Sequence, residues 1–305
     1  MRPLLHIGYH KTGTTLLQRR VFPDAEAGFC FVAGVDALQP AFVDANPFDF
    51  DPEAAREAFE PGIREAQAQA LVPVLSYERL SGGPHSGGYD SKTIADRLIT
   101  TFPDARVLMV VREQTSMLIS LYKVYVRMGG VASFEQYINP PPHSAARAPL
   151  FRFDYLEYHR LVGYYQGLFG AENVLVLPYE LLERRPRAFV RSIGEFVEAP
   201  AARAKLKQVN TSPSALTLSI KRHANKWLVR SPLNVAPVLP IHLPNEPLKR
   251  LTSRADRKLP EALRIAGDRR WRRLAEHHVG DRYAESNTLT TKLTNLELRT
   301  FGYAC

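Results

Sequence analysis

The sequence predicts an α/β protein, a parallel sheet flanked by helices. Two observations predict it. Apolar runs of strand length recur at 4–8, 72–77, 106–111 and 174–177. Longer segments of helical periodicity, bounded by Asp, Ser, Gly or Pro, separate them. The composition, 45% hydrophobic and 23% charged, is ordinary globular usage and excludes disordered, collagen-like and coiled-coil chains. With 305 residues, no internal repeat and no linker-like stretch, residues 1–305 read as a single domain.

The elements follow in order. Residues 4–8 form the first strand, and a Gly/Thr-rich turn leads into a helix over 14–20. Cys30, in Gly-Phe-Cys-Phe-Val, reads as a small core hydrophobe of a buried strand. Asp51-Pro52-Glu53 opens a helix that runs through 54–70 with an interruption near Pro61. The next strand, 72–77, leads to a glycine-rich loop over 81–88 that is expected to be flexible. Ser91 is expected to cap a helix over 92–102, with Ile94, Leu98 and Phe102 on one face. Strand 106–111 precedes a helix over 115–128 that ends at Gly129-Gly130. A Pro-rich loop covers 139–149, and Asp154 is expected to cap a helix over 155–169. Strand 174–177 is followed by one helix from about 181 to 197. Beyond 210 the pattern is mixed, and the dense basic segment 250–273 reads as a solvated helix face.

The longest apolar runs are far too short to span a bilayer. The chain opens directly into a strand, with no apolar h-region and no small-residue cleavage site, so a cytoplasmic protein is expected. Its two cysteines, Cys30 and Cys305, cannot build a disulfide framework or a zinc site. Forty Lys and Arg against 31 acids give a net charge of +9. That excess suits an anionic ligand, and a nucleic-acid partner is not expected from it.

In open parallel sheets, ligands bind beyond the carboxyl ends of the strands. Here those ends carry residues 9–15, Glu78, Arg112 and Tyr179-Glu180, which should converge on one crevice. The first segment reads Gly8-Tyr9-His10-Lys11-Thr12-Gly13-Thr14-Thr15. Gly13 allows a tight turn, the amides of 12–15 would face an anion at a helix start, and the threonine hydroxyls and Lys11 add donors and charge. The loop says phosphate, but it is not an ATP-type P-loop. Lys11 precedes Gly13 by two residues instead of following it, and the strand 106–111 ends in Arg112 where a magnesium-holding acid would stand.

With these residues in view, the chain resembles the sulfotransferases that use 3′-phosphoadenosine 5′-phosphosulfate (PAPS). His6-Ile-Gly-Tyr-His-Lys-Thr-Gly-Thr-Thr-Leu-Leu-Gln18 is similar to their 5′-phosphosulfate loop. Val107-Leu-Met-Val-Val-Arg112, followed by Ser120, is similar to the segment that holds the 3′-phosphate. Asn173-Val-Leu-Val-Leu-Pro-Tyr179 is similar to the strand whose Tyr lies near the adenine. Residues 283–303 are similar to the C-termini of bacterial members.

The resemblance implies the P-loop-like sulfotransferase fold, PAPS as co-substrate, no metal, and a hydroxyl-bearing acceptor such as a carbohydrate, lipid or small molecule. It implies that His10, Lys11, Thr12, Gly13, Thr14, Thr15, Arg112, Ser120 and Tyr179 bind the cofactor. Glu78, in Ser76-Tyr-Glu, is similar to the base of carbohydrate-type and bacterial members. Lys11 would stabilise charge developing on the bridging oxygen, and His10 would orient phosphate.

Plainer roles stand beside these. Glu78 would be structural glue if it paired with Arg79, Arg112 or Lys11, and Arg112 would be so if it paired with Glu113 or Glu180. Lys205, Lys207 and Arg222 are candidates for closing over the 3′-phosphate. Residues 81–88, 129–149 and 232–247 are candidate acceptor walls. Tyr89, Tyr122, Tyr125, Phe151 and Phe153 would stack on an acceptor or belong to the core. Two other functions stay open: a nucleoside or small-molecule kinase, and a non-catalytic nucleotide- or polyanion-binding module.

Overall fold

The computed structural model describes residues 1–139, 151–200, 213–239 and 245–305. Within them the chain runs through β1 (Leu4–His6), α1 (Thr14–Arg20), β2 (Phe29–Ala33), α2 (Val35–Leu38), α3 (Pro52–Ala68), β3 (Val72–Ser76), α4 (Ser91–Thr101), β4 (Arg106–Val111) and α5 (Gln114–Arg127). It continues through α6 (Phe134–Ile138), α7 (Tyr158–Phe169), β5 (Val174–Pro178), α8 (Tyr179–Arg184), α9 (Pro186–Val197), α10 (Ala215–Leu228), α11 (Asn245–Asp256), α12 (Glu261–Val279) and α13 (Ala284–Thr294). These elements divide into two compact units. One holds the described residues of Met1–Glu113, Asp154–Val209 and Tyr283–Cys305, and the other those of Gln114–Phe153 and Asn210–Arg282.

The first unit contains the sheet, in the order β2-β3-β1-β4-β5, with every neighbouring pair parallel. Residues 107–111 of β4 are fully buried, the signature of a central parallel strand covered on both faces. Leu17, Val21 and Phe22 around α1, Leu182 of α8, and Phe189, Val190 and Ile193 of α9 pack with Leu4, Val74, Leu108, Val110 and Leu177 into one core. The expected parallel α/β sheet is therefore present. It has a fifth strand, β2, at its edge, and the edge position leaves Cys30 partly exposed instead of buried.

Several expected boundaries are corrected. Pro61 does not interrupt α3, which is continuous from Pro52 to Ala68. Ser91 lies inside α4 rather than capping it, and its hydroxyl instead donates to the Ser81 carbonyl at 2.9 Å. Asp154 sits in a short 3₁₀ turn, Phe153–Leu156, and α7 starts only at Tyr158. The single helix expected over 181–197 is two, broken at Arg185 before Pro186, because a residue preceding proline is pushed out of the helical region.

The second unit is helical and organised around aromatic rings. Tyr122 meets Trp271 at 4.8 Å, Phe134 at 4.9 Å and Tyr137 at 5.3 Å between centroids. Tyr122, Tyr125 and Phe151 are each about 1% exposed, so these three candidate stacking rings are core. Phe153 lies 4.2 Å beneath the Arg282 guanidinium. The buried Asn225 donates to the Val126 and Gly130 carbonyls at 2.7 and 2.9 Å, tying α10 to the end of α5. Arg222 donates to the Val131 carbonyl at 3.2 Å. Lys205, Lys207 and nearly all of the 139–149 loop lie outside the described residues. No helix among the described residues is long and apolar enough to cross a membrane.

Candidate active site

β1 ends at His6, and the chain keeps its ladder with β4 for three more residues. Ile7 N donates to Leu108 O at 3.0 Å and Tyr9 N to Val110 O at 3.2 Å. The backbone then turns sharply into α1. Lys11 has φ +66° and Gly13 φ +91°, both in the left-handed region. Gly13 needs its missing side chain for a second reason: a Cβ there would lie 2.6 Å from Leu182 Cδ2 and 3.5 Å from the Tyr179 ring. The Thr12 hydroxyl, fully buried, donates to the Tyr9 carbonyl at 2.5 Å. It is spent on bracing the loop, so only the amide of Thr12 is left to face a ligand. Thr15 is exposed.

Arg112 follows β4. Its Nη1 donates to the Lys11 carbonyl at 3.0 Å, and its guanidinium lies 4.6 Å from the centroid of the Tyr179 ring, which follows β5. The tips of β1, β4 and β5 are thereby joined in one place. Glu180 secures the junction from beneath. Its carboxylate accepts from Glu113 N at 2.9 Å and from the Tyr303 hydroxyl at 3.0 Å, and burial raises its pKa.

Glu78 comes from the tip of β3. Tyr77 N donates to the His6 carbonyl at 3.1 Å, and Glu78 opens a 3₁₀ turn, Glu78–Ser81. Its side chain is half-buried. Burial pushes its pKa up, and the Lys11 charge opposes that. Among the described residues no cation lies within ion-pair distance of its carboxylate. Arg79, a pairing partner considered from sequence, turns instead to Asp90 at 2.5 Å. Asp90 also accepts from Gly83 N at 3.0 Å. The 81–88 loop is therefore pinned, contrary to its expected flexibility. Gly88 N donates to Gly83 O at 2.8 Å, and Tyr155 OH donates to Gly82 O at 3.2 Å.

His10 faces this loop. Burial lowers its pKa to about 3, helped by the charges of His85, Arg79 and Lys11 and opposed by Asp90. It is neutral at any working pH. His85, also buried, is lowered to about 4. His10 Nε2, Thr14 Oγ1 and Arg79 Nη1 are buried and find no hydrogen-bond partner among the described residues. Native proteins leave few such groups unsatisfied; His10 and Arg79 are the chain neighbours of Lys11 and Glu78, and Thr14 opens α1 at the end of the same loop. With the cations Lys11 and Arg112, they fit an anionic ligand carrying several oxygens.

Thus Lys11, Gly13, Arg112 and Tyr179 form one cluster, and Glu78 and His10 adjoin it through Lys11. Ser120 is buried on α5, in the second unit. Tyr89 is exposed. From sequence, Arg79 enters only as a partner for Glu78, and the bracing roles of Asp90 and Tyr303 are not foreseen. Arg79 stands beside the candidate base, which was a usable signal, whereas Asp90 and Tyr303 act through contacts across 11 and 123 residues that no local pattern announces. Among the described residues there is no group of three or more His, Cys, Asp or Glu able to hold a metal ion.

A five-stranded parallel sheet of this order, with a cationic loop after its first strand, defines the P-loop-like class of α/β proteins. Within that class, the model described as "Sulfotransferase family" matches residues 35–203, more than half of the chain, and the chain belongs to that family. The match starts after the first loop and includes Glu78, Arg112, Ser120 and Tyr179.

A solved sulfotransferase from Alicyclobacillus acidocaldarius shares the fold, with a TM-score of 0.50 at 18% identity over 74% of this chain and 93% of that one. Two further structures are similar at TM-scores of 0.40 and 14% identity. The sulfotransferase domain from the curacin biosynthetic pathway is matched over 85% of this chain and 99% of its own. The sulfotransferase domain from the Synechococcus PCC 7002 olefin synthase is matched over 90% and 94%. No curated protein matches the sequence.

Proposed function

We propose that the chain transfers the sulfuryl group of PAPS to a hydroxyl acceptor, with Glu78 as general base. The observation that carries this reading is the position of Lys11 between two chemistries. Its carbonyl accepts from Arg112, and its charge acts on the Glu78 carboxyl. One residue thus adjoins both an anion-holding group and a desolvated carboxylate. Membership of the sulfotransferase family makes sulfuryl transfer the reaction these groups would serve.

In this reading Lys11, the Thr14 and Thr15 hydroxyls and the amides of residues 12–15 hold the sulfate-bearing phosphate. Arg112 takes the second phosphate as a charged hydrogen-bond donor. Tyr179, held between Gly13 and Arg112, borders the adenine, and neutral His10 offers Nε2 without adding charge. Bound PAPS would supply an activated sulfuryl group on a phosphate leaving group. Glu78 receives the acceptor's hydroxyl proton while that oxygen bonds to sulfur and the sulfur–phosphate oxygen bond breaks. Lys11 stabilises the negative charge left on the departing phosphate. The base is matched to its task because burial keeps its proton affinity above that of a solvated glutamate.

The test is a Glu78→Gln variant assayed for release of 3′-phosphoadenosine 5′-phosphate from PAPS with hydroxyl acceptors. The variant should bind the nucleotide as the wild type does and lose about 10²–10⁴-fold in turnover. Unchanged turnover would remove Glu78 from the chemistry. Magnesium-dependent ATP binding without nucleotide bisphosphate binding would replace the reading with a kinase.

A further inference from the structure

The chain's charge is not evenly spread. Residues 213–282 hold fifteen Lys and Arg against six Asp and Glu, a net +9 that equals the charge of the whole protein, so the rest is neutral. No acidic residue occurs from 213 to 245. The same stretch exposes large apolar side chains: Ile220 at 61%, Trp227 at 47%, Val235 at 70%, Val238 at 53% and Leu239 at 39%.

These residues are held together. Ile220 and Trp227 are seven apart on α10 and share a face. The following segment folds back on the end of that helix. Val238 N donates to Lys226 O at 3.1 Å and Leu239 N to Trp227 O at 3.0 Å. Asn234 fixes the turn by donating to the Asn225 and Val229 carbonyls at 2.8 and 2.9 Å. The apolar cluster is thus displayed by a built turn, with exposed Lys226 and Arg230 at its border.

We propose that this face of the second unit docks on an anionic lipid bilayer surface. A Trp with aliphatic neighbours, edged by cations on a stretch of chain without acids, is the pattern that seats apolar side chains among acyl chains while cations meet phosphate headgroups. A nucleic-acid backbone would use the cations but leave the apolar cluster in water. A second copy of the chain would bring the same positive charge against itself. The proposal does not depend on the transfer reaction.

The chain's two tryptophans make a direct test, because Trp271 is 7% exposed and only Trp227 is open to solvent. Vesicles of equal parts phosphatidylglycerol and phosphatidylcholine should sediment the protein at low salt and shift its tryptophan emission to the blue. Pure phosphatidylcholine vesicles should do neither, and about 0.5 M salt should release the protein. Trp227→Phe should keep sedimentation and lose the shift. Lys226→Glu with Arg230→Glu should weaken vesicle binding at least tenfold at an unchanged unfolding midpoint. Failure of the wild type to sediment on anionic vesicles overturns the proposal, as does sedimentation with unchanged emission. Binding of soluble polyglutamate but not vesicles also overturns it, in favour of an acidic protein partner.

Discussion

Glu78 is a carboxylate raised by burial and restrained by Lys11. If it is the base, only its ionised form works, so turnover should fall as pH drops through a pKa above the roughly 4.3 of a solvated glutamate. Lys11 holds that pKa down, so Lys11→Met should move the acid limb of the kcat/KM profile to higher pH, whatever it does to the plateau. An acid limb that stays put would mean that the two groups do not communicate.

Gly13 makes a second residue-level prediction. Alanine there must adopt φ +91° and place a Cβ 2.6 Å from Leu182 Cδ2. Gly13→Ala should cost about 1–2 kcal/mol in thermal unfolding, and more in nucleotide affinity than in stability if the strained loop forms the ligand's wall as proposed. Both residues were legible in the sequence. A glycine two residues after a lysine, and a glutamate just past a strand, are local features set by the next few side chains.

At the level of elements, the strand tips carry the account. Tyr303 reaches Glu180 across 123 residues, and Arg79 reaches Asp90 across the glycine-rich loop. Asp90 is a carboxylate that burial would raise, but the Arg79 hydrogen bond and charge and the Gly83 amide hold it below its ordinary range. Asp90→Asn should loosen the 81–88 loop, seen as faster amide exchange at Gly83 and Gly88, and cost about 1–2 kcal/mol, less than a fully buried pair would. Tyr303→Phe should leave one Glu180 oxygen unpaired, at about 1–2 kcal/mol.

The strands and the rule that puts the site at their carboxyl ends could be read from periodicity alone. The pinning of the glycine-rich loop could not, because its hydrogen bonds come from Asp90 and from Tyr155 far along the chain. The break at Arg185 was legible in the proline that follows, and was passed over because the apolar stripe runs through both helices.

For the whole molecule, acid is the revealing stress. His6 and His10 are buried and lowered to about 3, and His85 to about 4. Unfolding lets each take up a proton near pH 6.5. The unfolded state therefore binds more protons than the native state between that pH and the lowered values. Stability should be full above about pH 6.5 and decline on acidification, each histidine adding up to about 1.4 kcal/mol per pH unit. Chemical denaturation at stepwise pH would measure it, and a midpoint flat from pH 7 to about 4.5 would contradict it.

The division into two compact units is not marked in any local run of the sequence. The second unit is assembled from two stretches separated by the return of the chain to the sheet, and no composition change marks the crossing at Glu113.

The central claim is that Lys11 and Arg112, joined by the hydrogen bond from the Arg112 guanidinium to the Lys11 carbonyl, form a single grip for a nucleotide bisphosphate. Calorimetric titration of 3′-phosphoadenosine 5′-phosphate into the wild type and Arg112→Ala tests it most directly. The account predicts tight binding to the wild type and a loss of about 2 kcal/mol, roughly thirtyfold, in the variant at unchanged fold stability. A wild type that shows no heat of binding, or a variant that binds equally well, would contradict it.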